Sequence, residues 1–284
     1  MPEAILKPTP TIRELTTIAD LKHALELEKE VWEIEDADVT PLTLAVAAQA
    51  SGSLWLGAFD GEEMIGFAFA LPSMEHGKVG FHSHTLAVRA SYRDQNIGYR
   101  LKLAQRERAL GRGIQEMTWT YDPLRSRNAH LNFSRLGVIC NSYRVDFYGP
   151  LTSSPMHTNS TDRFWVSWRM ADARVEGRIK GKDSRAEIID ALRHIDPLVR
   201  FNADGRPAEG DLLQALARQR IGVEIPGDID RIERTDRELA REWRSVTRRA
   251  LSASIKAGFV VTEFCRSIRG QQGPGAYLLK RIAD

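Results

Sequence analysis

The feature that most constrains this chain is one run of eighteen residues: Phe81-His82-Ser83-His84-Thr85-Leu86-Ala87-Val88-Arg89-Ala90-Ser91-Tyr92-Arg93-Asp94-Gln95-Asn96-Ile97-Gly98. Val79 to Val88 predicts a strand. Ile97, Leu101, Leu103, Ala104, Arg108 and Leu110 then follow helical spacing, closed by Gly111 and Gly113. Only a short polar turn separates the two periods. Such a turn points several backbone N–H groups into one concavity, at the positive end of the helix dipole. That arrangement suits a phosphate. An ordinary strand–turn–helix joint is the other reading of the same residues.

The rest of the chain alternates between the same two periods. Thr11 to Leu15 predicts a strand, Ile18 to Trp32 a helix and Pro41 to Ala50 a second helix. Leu54 to Phe59 and Met64 to Leu71 predict strands around the hairpin signal Asp60-Gly61, and His76-Gly77 a further turn. Glu116 to Tyr121, Val138 to Tyr148 and Phe164 to Met170 predict strands, with a short helix from Asn128 to Leu136. From Ala171 the texture changes. Residues 171–220 read as loops with helical pieces, Thr235 to Ala257 as a long helix with Thr235 as N-cap, and Val223 to Pro226, Phe259 to Phe264 and Ala276 to Leu279 as strands. There is no internal repeat.

Composition narrows the partners. The chain has 284 residues, 27% charged and 42% hydrophobic, with a net charge of +2. Such a balance belongs to a globular protein and argues against a dedicated nucleic-acid binder. Two cysteines, Cys140 and Cys265, give neither a disulfide framework nor a cysteine-based zinc site, and fit a reducing cytoplasm. The segment MPEAILKPTP lacks a signal pattern, and no apolar run approaches the about 20 residues of a membrane span. The expectations are a cytoplasmic location, no membrane partner and no nucleic-acid partner.

The eighteen-residue run resembles the acyl-CoA signature of the GCN5-related N-acetyltransferase (GNAT) superfamily, Arg/Gln-x-x-Gly-x-Gly/Ala after a strand ending in Leu-x-Val. Arg93 fills the first position, Asn96 replaces the first glycine and Gly98 fills the second. Asn is the non-glycine residue best able to take positive φ. The order of elements over residues 11–170 is similar to that superfamily's. The resemblance implies acetyl-CoA or another acyl-CoA as co-substrate, with no metal. It implies that Leu86, Val88, Arg93, Asp94, Gln95, Asn96, Ile97, Gly98 and Tyr99 hold the pantetheine and pyrophosphate, and that Asn128 either touches pantetheine or only caps its helix. Trp119-Thr120-Tyr121-Asp122-Pro123-Leu124, Arg127-Asn128-Ala129 and Arg241-Glu242-Trp243-Arg244 look like an extended branch of predicted acyltransferases. Some members of that branch are associated with N-succinylamino acid racemases, which implies succinyl transfer to an amino acid.

Amide formation from a thioester needs a neutral amine, hence a base. His82 and His84 lie two apart on one strand, so simple alternation puts both on one face with Leu86 and Val88. Histidine titrates near neutrality, which suits the role. The His-x-His-x-Leu-Ala-Val arrangement resembles the serotonin N-acetyltransferase branch, which implies His84, with His82, as the catalytic pair. The alternatives are two structural histidines or a metal pair, for which no third ligand stands at useful spacing. Where many relatives carry a tyrosine that protonates the leaving thiolate, this chain has Phe133, so Tyr121, His130 and Ser134 are the other donors. Asp122 before Pro123 reads as a turn residue, or as a group that anchors the substrate amine or orients a histidine. Arg125, Arg127 and Arg135 read as a solvated face or an anion site, and Arg241, Arg244, Arg248 and Arg249 as surface.

The fold expected is α/β: a GNAT-like mixed, mostly antiparallel sheet flanked by helices. A catalytic domain spans 1–170, and an α/β C-terminal extension, 171–284, packs on or extends the sheet. The function expected is transfer of an acetyl or succinyl group from acyl-CoA to the amine of a small molecule, with a homodimer as a possible assembly. A catalytically silent acyl-CoA sensor and a protein-modifying acetyltransferase are the alternatives.

Overall fold

A capping box opens the first helix. The Thr17 side chain accepts from the Asp20 amide while the Asp20 carboxylate accepts from the Thr17 amide, and α1 runs Ile18–Trp32. Its apolar stripe buries Leu21, Ala24, Leu25 and Leu27 against the sheet. The computed structural model describes residues 9–75, 77–149, 153–154, 158–182, 184–270 and 273–281. His76, expected in a turn, lies outside the described residues.

The chain divides into two compact units, Met1–Met117 with Ser153–Met156, and Thr118–Thr152 with His157–Asp284. The first holds β1 (Thr11–Glu14), α1, α2 (Leu42–Ala50), β2 (Leu54–Asp60), β3 (Glu63–Glu75), β4 (Lys78–Val88) and α3 (Ile97–Gly111). Its strands run in the order β1-β2-β3-β4, each pair antiparallel. One face of β2 and β3 packs Trp55, Phe67 and Phe69 against α1 and α2. The other packs Leu56, Ala58, Ile65 and Ala68 against Ile97, Leu101 and Ala104 of α3. Alternation along the strands sends neighbouring residues to opposite faces, which is why both faces are apolar.

The division falls within β5 (Glu116–Tyr121). The second unit continues with α4 (Ser126–Ala129), which runs on as a π-helical turn, His130–Leu136. Then come β6 (Ile139–Arg144), β7 (Arg163–Arg169), α5 (Ala173–Ile179), α6 (Arg185–Arg193), β8 (Val199–Phe201), β9 (Pro207–Glu209) and α7 (Leu212–Leu216). The last elements are β10 (Arg220–Ile225), α8 (Ile229–Thr235), α9 (Arg237–Lys256), β11 (Phe259–Cys265) and β12 (Gly275–Arg281). The strand order is β5-β7-β6-β11-β12-β10-β8-β9. Only β8 against β10 is a parallel pair among the pairings from β7 to β9. The fold class is therefore the mixed, mostly antiparallel one expected, and the C-terminal strands extend the sheet through β11 on β6.

Three expectations about single elements change. Residues 199–209, read as loop, form two short strands. The long helix starts at Arg237 rather than at Thr235, because Asp236 accepts from the Leu239 amide as N-cap and Thr235 ends α8. The stretch from Val138 is a strand only to Arg144; the chain then turns at Asp146, φ 44°. Residue 170, the boundary expected from texture, lies inside the second unit.

Candidate functional site

β4 carries a bulge at His84. Ala70 of β3 faces Ser83 and the next residue back, Phe69, faces Thr85, so His84 is the extra residue. The bulge changes which side chains share a face. His82 stands opposite Leu71, which packs with the α1 and α2 cluster, whereas Leu86 and Val88 pack with the α3 cluster. The expectation that both histidines share a face with Leu86 and Val88 is thus corrected. Simple alternation fails because one added residue reverses the sides.

The same reversal separates two polar sets. Ser83 turns toward α3, where Lys102 Nζ donates to its Oγ at 2.7 Å and that hydroxyl donates to Gln105 Oε1 at 3.0 Å. Thr85 turns toward α1, donating to Glu28 Oε1 at 3.3 Å. The buried Glu28 carboxylate also accepts from the Thr40 amide at 3.2 Å and hydroxyl at 3.3 Å. Sequence reasoning missed these partners. Glu28 was findable, being seven residues after Leu21 and three after Leu25, on the buried stripe of α1. Lys102 and Gln105 likewise share a helical stripe with Gly98 and Ala109.

His84 is open to solvent, with its ring edge-on to Phe69, centroids 6.0 Å apart. The chain crowded around it nonetheless disfavours the imidazolium and lowers its pKa, while the Glu28 charge opposes that shift. His82 is half-buried, and burial, then His84 and Lys102, lowers its pKa to about 4. At neutral pH both rings are therefore neutral, the form that takes a proton. His82 is the weaker base of the two.

After Val88 the chain makes a 3-10 turn, Ala90–Tyr92, held by Tyr92 Oη donating to Asp60 Oδ2 at 2.9 Å. Arg93 Nε reaches back to the Val88 carbonyl at 3.4 Å. Asp94 and Asn96 take left-handed backbone, φ 65° and 60°. Asn96 thus adopts the conformation that the missing glycine would supply. It is also the N-cap of α3, and its side chain makes no capping hydrogen bond. The first-turn amides of Ile97, Gly98 and Tyr99 have no acceptor within the helix. Arg93 to Asn96 are exposed, Ile97 is buried, and Gly98 and Tyr99 are half-buried. A β-carbon on Gly98 would meet only Leu86 and Val88, at 3.6 and 4.0 Å. A cavity of about 350 Å³ borders the turn, lined by Asp60, Tyr92, Gln95, Asn96 and Arg100 among others. This geometry fits a phosphate-bearing ligand, with left-handed turn residues leading into an uncapped helix start.

The remaining expected residues lie in the second unit. Asn128 is exposed on α4 and does not cap it, since Arg125 occupies that position. Phe133 is fully buried, edge-on to Tyr277 at 5.8 Å. Ser134 Oγ is committed to the Phe264 carbonyl at 2.8 Å. Tyr121 Oη sits 3.1 Å from Tyr277 Oη, and burial drives its pKa far up. Tyr277 itself donates to the Pro123 carbonyl at 2.6 Å.

The largest departure is Asp122. It is the turn residue expected, its Oδ1 accepting from the Leu124 amide at 2.9 Å, but it is also paired: Arg244 Nη1 and Nη2 grip its two oxygens at 2.8 and 2.6 Å. Burial, the largest single influence, raises its pKa, but the charge and hydrogen bonds of Arg244, with the Arg125 charge and the Leu124 amide, together outweigh it and hold the pKa at about 2. Arg244, expected on the surface, is buried, and its Nε donates to the Asn159 carbonyl at 2.9 Å. Arg125 is no solvated residue either, pairing with Asp230 and with Glu233 at 2.9 Å. Arg248 pairs with the buried Asp162 at 2.8 Å, to which Tyr143 Oη donates at 2.6 Å. Among the described residues, no group of three or more His, Cys, Asp and Glu is placed to hold a metal ion.

Residues 17–137 match the family model described as the acetyltransferase (GNAT) family. The chain therefore carries a GNAT acetyltransferase domain, an enzyme class that transfers acyl groups. No curated protein matches the chain. Solved structures similar to it include the ribosomal-protein-S18-alanine N-acetyltransferase of Escherichia coli, at 18% identity, TM-score 0.45, covering 58% of this chain and 96% of that one. Aminoglycoside 6′-acetyltransferase type Ii is similar at 19% identity and TM-score 0.46, covering 57% of this chain and 98% of its own. An aminoglycoside 6′-N-acetyltransferase complexed with coenzyme A is similar at 17% identity and TM-score 0.42, covering 57% and 98%.

Proposed function

We propose that the chain is an acyl-CoA-dependent N-acyltransferase that moves an acetyl or succinyl group to the amine of a small molecule, amino acids included. The observation that carries this reading is the turn after β4. Left-handed Asp94 and Asn96 lead into a helix start with no side-chain cap. Arg93 to Tyr99 would hold the phosphates largely through backbone N–H groups, with Leu86 and Val88 along the pantetheine. When bound, acyl-CoA supplies an activated thioester.

His84 takes the proton from the acceptor amine, directly or through water. His82 supports it, since a pKa near about 4 leaves little proton affinity. Phe133, Tyr121 and Ser134 are each buried or already bonded, and none is placed to protonate a thiolate. A thiol with an ordinary pKa of about 8.5 can leave unprotonated. The cytoplasm is the compartment proposed, in keeping with Cys140 and Cys265 as free thiols. Among the described residues no helix is long and apolar enough to cross a membrane.

Thiol release from acetyl-CoA and succinyl-CoA, across a panel of amines, amino acids and peptides, tests this reading. Replacing His84→Ala is expected to lower turnover by roughly 10²–10⁴. The wild-type rate should rise with pH through a limb lying below the ordinary imidazole value of about 6.5, because the chain crowded around His84 favours the neutral ring. That limb should vanish in the variant. Its persistence would assign the proton transfer to another group. Buried Phe133 in place of a hydroxyl donor favours one second reading, a sensor that binds acyl-CoA without turnover. Tight coenzyme A binding with no thiol release across the panel would select it.

A further inference from the structure

Arg266 follows β11 in the second unit. Its side chain is half-buried and makes no hydrogen bond or ion pair with the described residues. It lines a cavity of about 510 Å³ together with His130, Arg185, Ser267 and Gly270. None of these takes part in the chemistry assigned above. The described lining contains two guanidiniums and an imidazole and no carboxylate.

The wall is built rather than incidental. Arg185 donates to the carbonyls of Arg266 at 2.8 Å and Ser267 at 3.2 Å, which fixes its guanidinium against this stretch of backbone. Ile268 N–H donates to the Pro274 carbonyl and Gly273 N–H to the Gly270 carbonyl. Ser267 is held in left-handed backbone, φ 54°, a conformation that costs a serine energy. Just before Arg185, the Ser184 hydroxyl is buried without a hydrogen-bond partner, and α6 starts with no side-chain cap.

The half-buried Arg266 guanidinium, which no other described group neutralises, gains a counter-charge from a bound anion. Guanidinium forks match the paired oxygens of phosphate and carboxylate. A space of this size exceeds what an inorganic ion needs and suits a small organic molecule. We propose that this cavity binds a small organic oxyanion, a phosphate monoester or a dicarboxylate, through Arg266 and Arg185. It uses no residue of the turn from Arg93 to Tyr99, and it stands whether or not the acyl-transfer reading holds.

Calorimetric titration of the full chain with glycerol phosphate, with succinate and with sodium chloride at matched ionic strength tests the site. Saturable binding of glycerol phosphate, of succinate or of both is expected, and which one binds identifies the oxyanion. Replacing Arg266→Gln should weaken that binding at least about tenfold, or about 1.4 kcal/mol. The unliganded Tm should stay unchanged, because this side chain holds no other group. Arg266→Lys keeps the charge but not the fork, should fall between the two, and carries the comparison if the glutamine variant does not fold. No saturable binding above the chloride control would overturn the proposal. So would equal affinity in wild type and the Arg266 variants, which would place the binding elsewhere.

Discussion

In the first unit the buried polar groups work in small sets, each spanning two or three neighbouring elements; in the second a larger charged network runs from Asp122 to Arg248, beside separate sets at Glu224 and Glu263. Behind β4, Ser83 meets Lys102 and Gln105, and Thr85 and Thr40 both meet Glu28. The imidazole of His84 is left open to solvent. In the second unit Asp122, Arg125, Glu233, Arg244, Asn159, Asp162 and Arg248 join segments up to 122 residues apart in sequence. A buried ion pair gains little over a hydrophobic replacement, but losing one partner strands a charge. The first arrangement leaves titratable groups available for chemistry. The second spends its charge on fixing its own chain.

The largest effect should come from cutting the second unit. A chain ending at Met170 removes β11 from the edge of β6 and Tyr277 from its contacts with Phe133 and Phe164. We expect loss of cooperative unfolding for residues 118–170, read by near-UV circular dichroism. A well-folded truncated chain would break the comparison, since the C-terminal strands would then be an accessory. Next in size is Arg244→Met, which strands Asp122. Urea unfolding should show a loss of about 3–5 kcal/mol. Adding Asp122→Leu should recover much of it, and a double variant no better than the single would mean that the pair is not the unit of stability.

Phe133→Tyr puts a hydroxyl into a fully buried site against Tyr277, and should cost about 1–3 kcal/mol by the same measurement. A gain in turnover without that cost would show that the ring reaches the reacting groups. The smallest effects are those of pH. The folded pKa of His82, about 4, lies below its unfolded value of about 6.5. Above that value both states are neutral and the group contributes nothing. As pH falls from about 6.5 toward 4, only the unfolded chain gains the proton, so stability declines. His82→Gln should flatten that part of the curve. Asp122 acts at lower pH: its stabilisation is present above about 3.8 and is lost as pH falls toward about 2, and Asp122→Asn should remove that dependence.

Much of the fold was legible because local signals agreed with it. Ile18 to Trp32 and Glu116 to Tyr121 match the expected bounds, one from its helical stripe and the other from strand formers stopped by Asp122-Pro123. The turn before α3 was legible because Arg93, Asn96 and Gly98 fall at the spacing of the signature they resemble, and Asn96 does take positive φ. The bulge was not legible. His82, His84, Leu86 and Val88 alternate without a flaw, and nothing local marks the added residue, which is set by pairing with β3. Arg244 was hidden for a related reason. On α9 it looks like any surface arginine, and its partner Asp122 lies far away in sequence.

The central claim is that the turn after β4 holds the phosphates of acyl-CoA. The most direct measurement is the thermal shift of the full chain with coenzyme A, for wild type and for Gly98→Val. The β-carbon has room, so the unliganded variant should stay within about 1 kcal/mol of wild type. Wild type should gain about 2.7 kcal/mol at a hundred times the dissociation constant, and the variant should gain none. A full shift in Gly98→Val, or none in wild type with any coenzyme A ester, would contradict the account.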